Sequence, residues 1–132
     1  MRDAFTNFGK IAITTSATSA SAAVKSENII SVYGAARLEG GPHDLRFVFL
    51  PKTSYTGTLT FQVLQSDTIT SNELASPVVT DTFTVTGVTA NQAVIKPFPL
   101  ETKKNYMQIS AYGSAGTAIS LETWLEFGAG AS

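Results

Sequence analysis

The chain has no cysteine, a single histidine and few charges. Each shortage removes a class of explanation. Without thiols there is no disulfide framework and no thiolate metal site, whatever the compartment. One histidine, His43, with no cysteine to accompany it argues against a transition-metal centre. Charged residues make up 14% of the chain, where about a quarter is usual, and the formal net charge is −1. No basic stripe is present, so direct contact with nucleic acid is not expected. Lys103-Lys104 is the only basic pair and reads as a solvated turn rather than a phosphate site. No apolar run approaches the length that crosses a membrane as a helix. Small residues near Ala20 imitate a signal-peptide cleavage site. Asp3 sits where a positive n-region belongs, however, and no sustained apolar stretch follows. The N-terminus is therefore expected to stay in the mature chain, made and used inside a cell.

Threonine and serine stand in for the missing charge. Threonine suits a strand because its branched Cβ packs on a pleated surface while its hydroxyl tolerates water. A surface of neutral hydroxyls is easier to dehydrate than a charged one, which favours close contact with a partner protein. The 132 residues, 43% of them apolar, predict one domain that buries about two thirds of its unfolded surface.

Hydrophobic periodicity predicts strands throughout. Residues 45–50 (LRFVFL) are nearly all apolar, as in a strand covered on both faces. Across a short loop punctuated by Pro51 and Gly57, residues 58–65 alternate, with Leu59, Phe61 and Val63 on one side and Thr58, Thr60 and Gln62 on the other. Residues 78–86 place Phe83 and Val85 inward and Thr82, Thr84 and Thr86 outward. Residues 87–91 turn, and 92–96 pair again until Pro97 ends the ladder. In 105–112, Met107, Ile109 and Ala111 share one face, opposite Tyr106, Gln108, Ser110 and Tyr112. Residues 117–127 give the longest alternation, with Ile119, Leu121, Leu125 and Phe127 opposite Ser120, Glu122, Trp124 and Glu126. Residues 11–15 and 29–33 are further strand candidates. Residues 16–23 read as a loop or weak helical turn, and 67–77 as a polar loop. The pattern predicts an all-β fold, a single antiparallel sandwich, jelly roll or small barrel of roughly eight strands. An extended N-terminal segment, residues 1–28, is expected to pack on the domain or on a neighbour, with the sandwich over 29–132.

Reactive constellations are scarce. His43-Asp44 follows Gly-Gly-Pro without a nucleophile elbow and reads as a loop. Glu122 and Glu126 flank Trp124 on one strand face, but four residues at about 3.3 Å each separate their Cα atoms by about 13 Å. Glycosidase carboxylates lie about 5–9.5 Å apart. No enzyme activity and no cofactor are expected. Trp124 is the foremost candidate for an interaction residue, because it shares its face with charged groups rather than the core. Tyr33, Tyr55 and Tyr112 carry weaker versions of that argument. Arg37 and Arg46 are candidates for charge-assisted bonds across an interface. Phe5 and Phe8 are candidate anchors in the polar leader. A second reading makes Trp124, Tyr112 and Tyr33 a stacking platform for sugar rings, in a carbohydrate-binding or adhesin module of a tail fibre or cell surface.

The order ENIISVYG, Gly-Gly-Pro, LRFVFL, TGTLTFQVLQSD, a loop ending in Ala-Ser-Pro, PFPL and NYMQISAYG resembles the capsid cement proteins of tailed phages, of the Bordetella-phage-like head-stabilisation type. The likeness spans residues 28–127 and is most specific over 58–67 and 97–113. It implies a sandwich or jelly roll on the outer surface of a phage head, made in the bacterial cytoplasm. It further implies homo-oligomers, typically trimers, that bridge major capsid subunits and stiffen the shell against packaged DNA, without cofactor or catalysis. In that setting the leader, with Phe5 and Phe8, would lie across a neighbour, and removing residues 1–10 would leave folding intact.

Overall fold

The computed structural model describes residues 7–31, 45–97 and 104–127. Among these the chain is all-β, with one 3-10 turn at Ala20–Ala22 and every strand pairing antiparallel. The strands are β1 (Asn7–Ile13), β2 (Val24–Lys25), β3 (Ile30–Ser31), β4 (Leu45–Pro51), β5 (Tyr55–Ser66), β6 (Ile69–Thr70), β7 (Glu73–Leu74), β8 (Val78–Val88), β9 (Val94–Pro97), β10 (Tyr106–Gly113) and β11 (Ile119–Phe127). A first sheet runs β1-β11-β4-β9. A second runs β2-β10-β5-β8, with β3 also on β10, and β6 and β7 form a small hairpin of their own. Ser71 and Asn72 at its tip both take positive φ, as a tight two-residue hairpin loop requires.

The alternation read from the sequence fixes which face is buried. Phe47 and Phe49 on β4, Leu59, Phe61 and Val63 on β5, Met107, Ile109 and Ala111 on β10, and Ile119, Leu121 and Leu125 on β11 join one core drawn from both sheets. Five phenylalanines form its centre. The rings of Phe49 and Phe61 stack across the sheets at 4.1 Å between centroids, and Phe83 lies 5.4–5.7 Å from Phe47, Phe49 and Phe61. Phe8 completes the group at 5.9 Å from Phe47.

Phe8 corrects the expectation for the leader. A bulge between Asn7 and Gly9 against Trp124 and Thr123 makes it the extra residue, with Gly9 at φ +83°. That geometry kinks the strand and re-aims a side chain, here into the core, where Phe8 is fully buried. It is not a free anchor. Residues 7–13 are a ladder strand on β11, so removal of residues 1–10 would take away core and ladder together. Phe5 lies outside the described residues.

Periodicity left the strand partners open, and the loop expected at 67–77 needs correction. β4 and β5 are consecutive but belong to different sheets, and β9 pairs with β4 rather than folding back on β8. Strand period records which side of a strand is apolar, not which neighbour it joins. The polar stretch 67–77 holds the β6–β7 hairpin.

The two margins of the molecule are unlike. On one side the chain after β2 ties the sheets together. Ser26 N–H donates to Ile109 O (2.8 Å) on the second sheet, while Glu27 N–H donates to Lys10 O (3.1 Å) and Asn28 N–H to Phe8 O (2.9 Å) on the first. The Glu27 carboxylate also accepts from Lys10 N–H at 2.8 Å. On the other side, β8 and β9 end their sheets with no further strand among the described residues.

Candidate interaction surface

β11 alternates with Leu121, Thr123 and Leu125 buried inward, which turns Ser120, Glu122 and Trp124 outward. The ladder sets Trp124 opposite Val48, and Val48 opposite Ile95. Directly opposed residues on one face of antiparallel strands have Cβ atoms about 4.5–5.5 Å apart, so three strands contribute one apolar row. Along it Trp124 is half-buried, Val48 is 2% exposed and Ile95 is 49% exposed. The row explains the continuous apolar run in β4: Phe47 and Phe49 serve the core while Val48 and Leu50 serve the opposite face. Charge borders it on both sides. Arg46, half-buried, stands opposite Glu126 in the register. Glu122 pairs with Lys52 at 2.7 Å and opposes Lys10 on β1. Val48 is covered within the chain, so the part of the row that reaches the surface is Ile95 with part of Trp124; an aliphatic and an aromatic side chain beside charged groups is the composition of protein-contact patches.

The outward face of the second sheet has different chemistry. Thr82, Thr84 and Thr86 on β8 are exposed, and they oppose Gln62, Thr60 and Thr58 on β5. Thr58 and Thr86 hydroxyls lie 3.1 Å apart. Tyr112 opposes Thr60 from β10, half-buried and packed against the core cluster.

These positions separate the residues singled out from sequence. Trp124 and Tyr112 occupy different sheets whose inner faces share the core, so they do not converge on one platform. Glu122 is engaged by Lys52 rather than poised opposite a second carboxylate. Tyr55 is buried, and its hydroxyl accepts from Ala115 N–H at 2.8 Å. Lys104 reaches Asp67 at 3.5 Å in an exposed ion pair. Tyr33, Arg37, His43, Asp44 and Lys103 lie outside the described residues. Among the described residues no group of three His, Cys, Asp or Glu side chains is placed to hold a metal, and no helix is long and apolar enough to cross a membrane. Sequence reasoning missed Val48 and Ile95. The only signal was the two-faced apolar run of β4, which becomes a patch only once the register is known.

The chain matches no protein-family profile, no curated protein and no solved structure.

Proposed function

We propose that this protein is a capsid cement subunit of a tailed phage, bound to the outside of the head, where it bridges major capsid subunits and stabilises the shell against packaged DNA. The observation that carries the reading is the row Trp124–Val48–Ile95 with its charged rim, a contact patch on a scaffold whose sequence over 28–127 resembles such proteins. The finer architecture belongs to the same proposal: a two-layer sandwich of the jelly-roll kind. It is supported by a core shared between two sheets and by chain connections that pass from one sheet to the other at β4–β5, β8–β9, β9–β10 and β10–β11. A homo-oligomer assembled on the shell, a trimer by the resemblance, would touch several shell subunits at once. Multivalency then converts modest single contacts into durable attachment, without a cofactor or a reactive group.

Ile95→Asp tests the patch. Ile95 is half exposed, so the substitution is expected to change folding stability by less than about 1 kcal/mol. A charge in the apolar row is expected to lower occupancy on undecorated heads at least about tenfold, since buried unpaired charge at an interface costs several kcal/mol. Full occupancy by a folded Ile95→Asp protein would remove the patch from the proposal.

A further inference from the structure

We propose that the edge of β8, on which no described strand lies, is a self-association site, at which two copies pair antiparallel about a twofold axis through Thr84 and join their second sheets into one. The inference begins from hydrogen-bond direction. Thr58 N–H donates to Ser114 Oγ and Thr58 O accepts from Ser114 N–H, both at 2.9 Å. Both backbone groups of Thr58 therefore point away from β8. Thr58 opposes Thr86, and in an antiparallel ladder such a pair does not exchange bonds. Thr86 thus turns its own N–H and C=O to the outer side of β8, and the alternation continues through Thr84 and Thr82. Three donors and three acceptors face outward on exposed residues at the margin of the sheet. A long edge with such a row is a template for another strand.

A second copy of this chain fits the template. Registers that keep inner face with inner face set threonine rows against each other. The register with Thr84 on the axis matches Thr82 to the second copy's Thr86 and engages all six outward groups. Cross-strand threonine pairs are favourable. On the inner face Phe83 then meets Val85. Both are half-buried in the single chain although they pack on the core, so pairing covers apolar surface that one chain leaves wet. Asp81, the only charged residue of β8, falls opposite Gly87, away from its own counterpart. The register shift at Val63/Leu64 beside Thr80 lies on one side of this stretch, and the shift at Tyr55/Thr58 with the positive φ of Gly87 on the other, so the pairing with β5 is regular from Asp81 to Thr86. Among the described residues the opposite margin offers no comparable edge, because residues 26–28 bond to β1 and β10 there.

The pairing is independent of the virion reading and is tested on the full chain alone. Sedimentation equilibrium from about 1 μM to about 1 mM is expected to show mass rising toward twice the monomer. Thr84→Pro removes an outward N–H and no bond to β5, a position that tolerates proline on an edge. It is expected to fold and to weaken association at least about tenfold. Mild oxidation supplies a register-specific readout in a protein that has no cysteine of its own. Thr84→Cys is expected to cross-link to itself, because opposed bonded residues lie about 5.5 Å apart at Cα, within disulfide range. Thr82→Cys alone is expected to associate without cross-linking, and Thr82→Cys with Thr86→Cys to cross-link. A wild-type chain that remains monomeric throughout, or Thr82→Cys cross-linking as readily as Thr84→Cys, would overturn the proposal. If Thr84→Pro does not fold, the cysteine series decides.

Discussion

Replacing Phe49 with alanine is expected to cost about 3–5 kcal/mol of folding stability, a large part of the about 5–15 kcal/mol that holds a typical domain together. Phe49 is fully buried and sits between Phe47, Phe61 and Phe83, and its stack on Phe61 is a direct side-chain contact between the sheets. Removing the ring leaves a cavity lined by rigid aromatic neighbours that collapse poorly, so the cavity term adds to the lost transfer energy. Phe83→Ala is the internal control. Phe83 touches the same rings but is only partly buried, on the edge strand, and its loss is expected to cost clearly less than that of Phe49. Urea unfolding followed by circular dichroism measures both. Equal costs, or a cost below about 1 kcal/mol for Phe49→Ala, would mean that the two sheets are not joined through these rings.

Gly113→Ala is expected to destabilise by about 2–4 kcal/mol, against the ordinary preference of a strand for alanine over glycine. A Cβ at Gly113 would collide with the Tyr55 hydroxyl, stand 2.8 Å from Tyr55 Cζ and 3.1 Å from Leu59 Cδ2. Tyr55 is a buried core ring whose hydroxyl is fixed by Ala115 N–H, so it cannot swing aside as the end of a flexible chain would. The double variant with Tyr55→Phe separates the causes. It removes the hydroxyl collision but keeps the close ring carbon, so it is expected to recover part of the loss and to show a coupling of about 1 kcal/mol in a double-mutant cycle. Additive effects would place the cost of Gly113→Ala elsewhere than at Tyr55.

The inward residues were legible in the sequence because each is fixed by a local period of two. Leu59, Phe61 and Val63, or Met107, Ile109 and Ala111, enter the core as their alternation requires. Trp124 faces away from the core for the same reason. The partners of those strands were not legible. β4 joins β11 and β9, and β5 joins β10 and β8, pairings between residues far apart in the chain that no local pattern encodes. The apolar row at Trp124 depends on those pairings and was invisible without them. Phe8 misled because a polar neighbourhood hid a bulge: Phe8 is itself the extra residue, and its ring turns inward where simple alternation cannot place it. Gln108 and Ser110, on the face of β10 opposite the core residues, are buried as well. Alternation identifies the more apolar face of a strand but not whether the other face is covered.

The proposed role is attachment to an assembled shell, and it is tested most directly by mixing the purified protein with undecorated tailed-phage heads and sedimenting the particles. Saturable co-sedimentation at a fixed number of copies per head is expected, with no binding to free major capsid subunits, because the proposed site would be completed only by neighbouring subunits of the lattice. Protein that stays in the supernatant at every concentration, with heads otherwise intact, would contradict it.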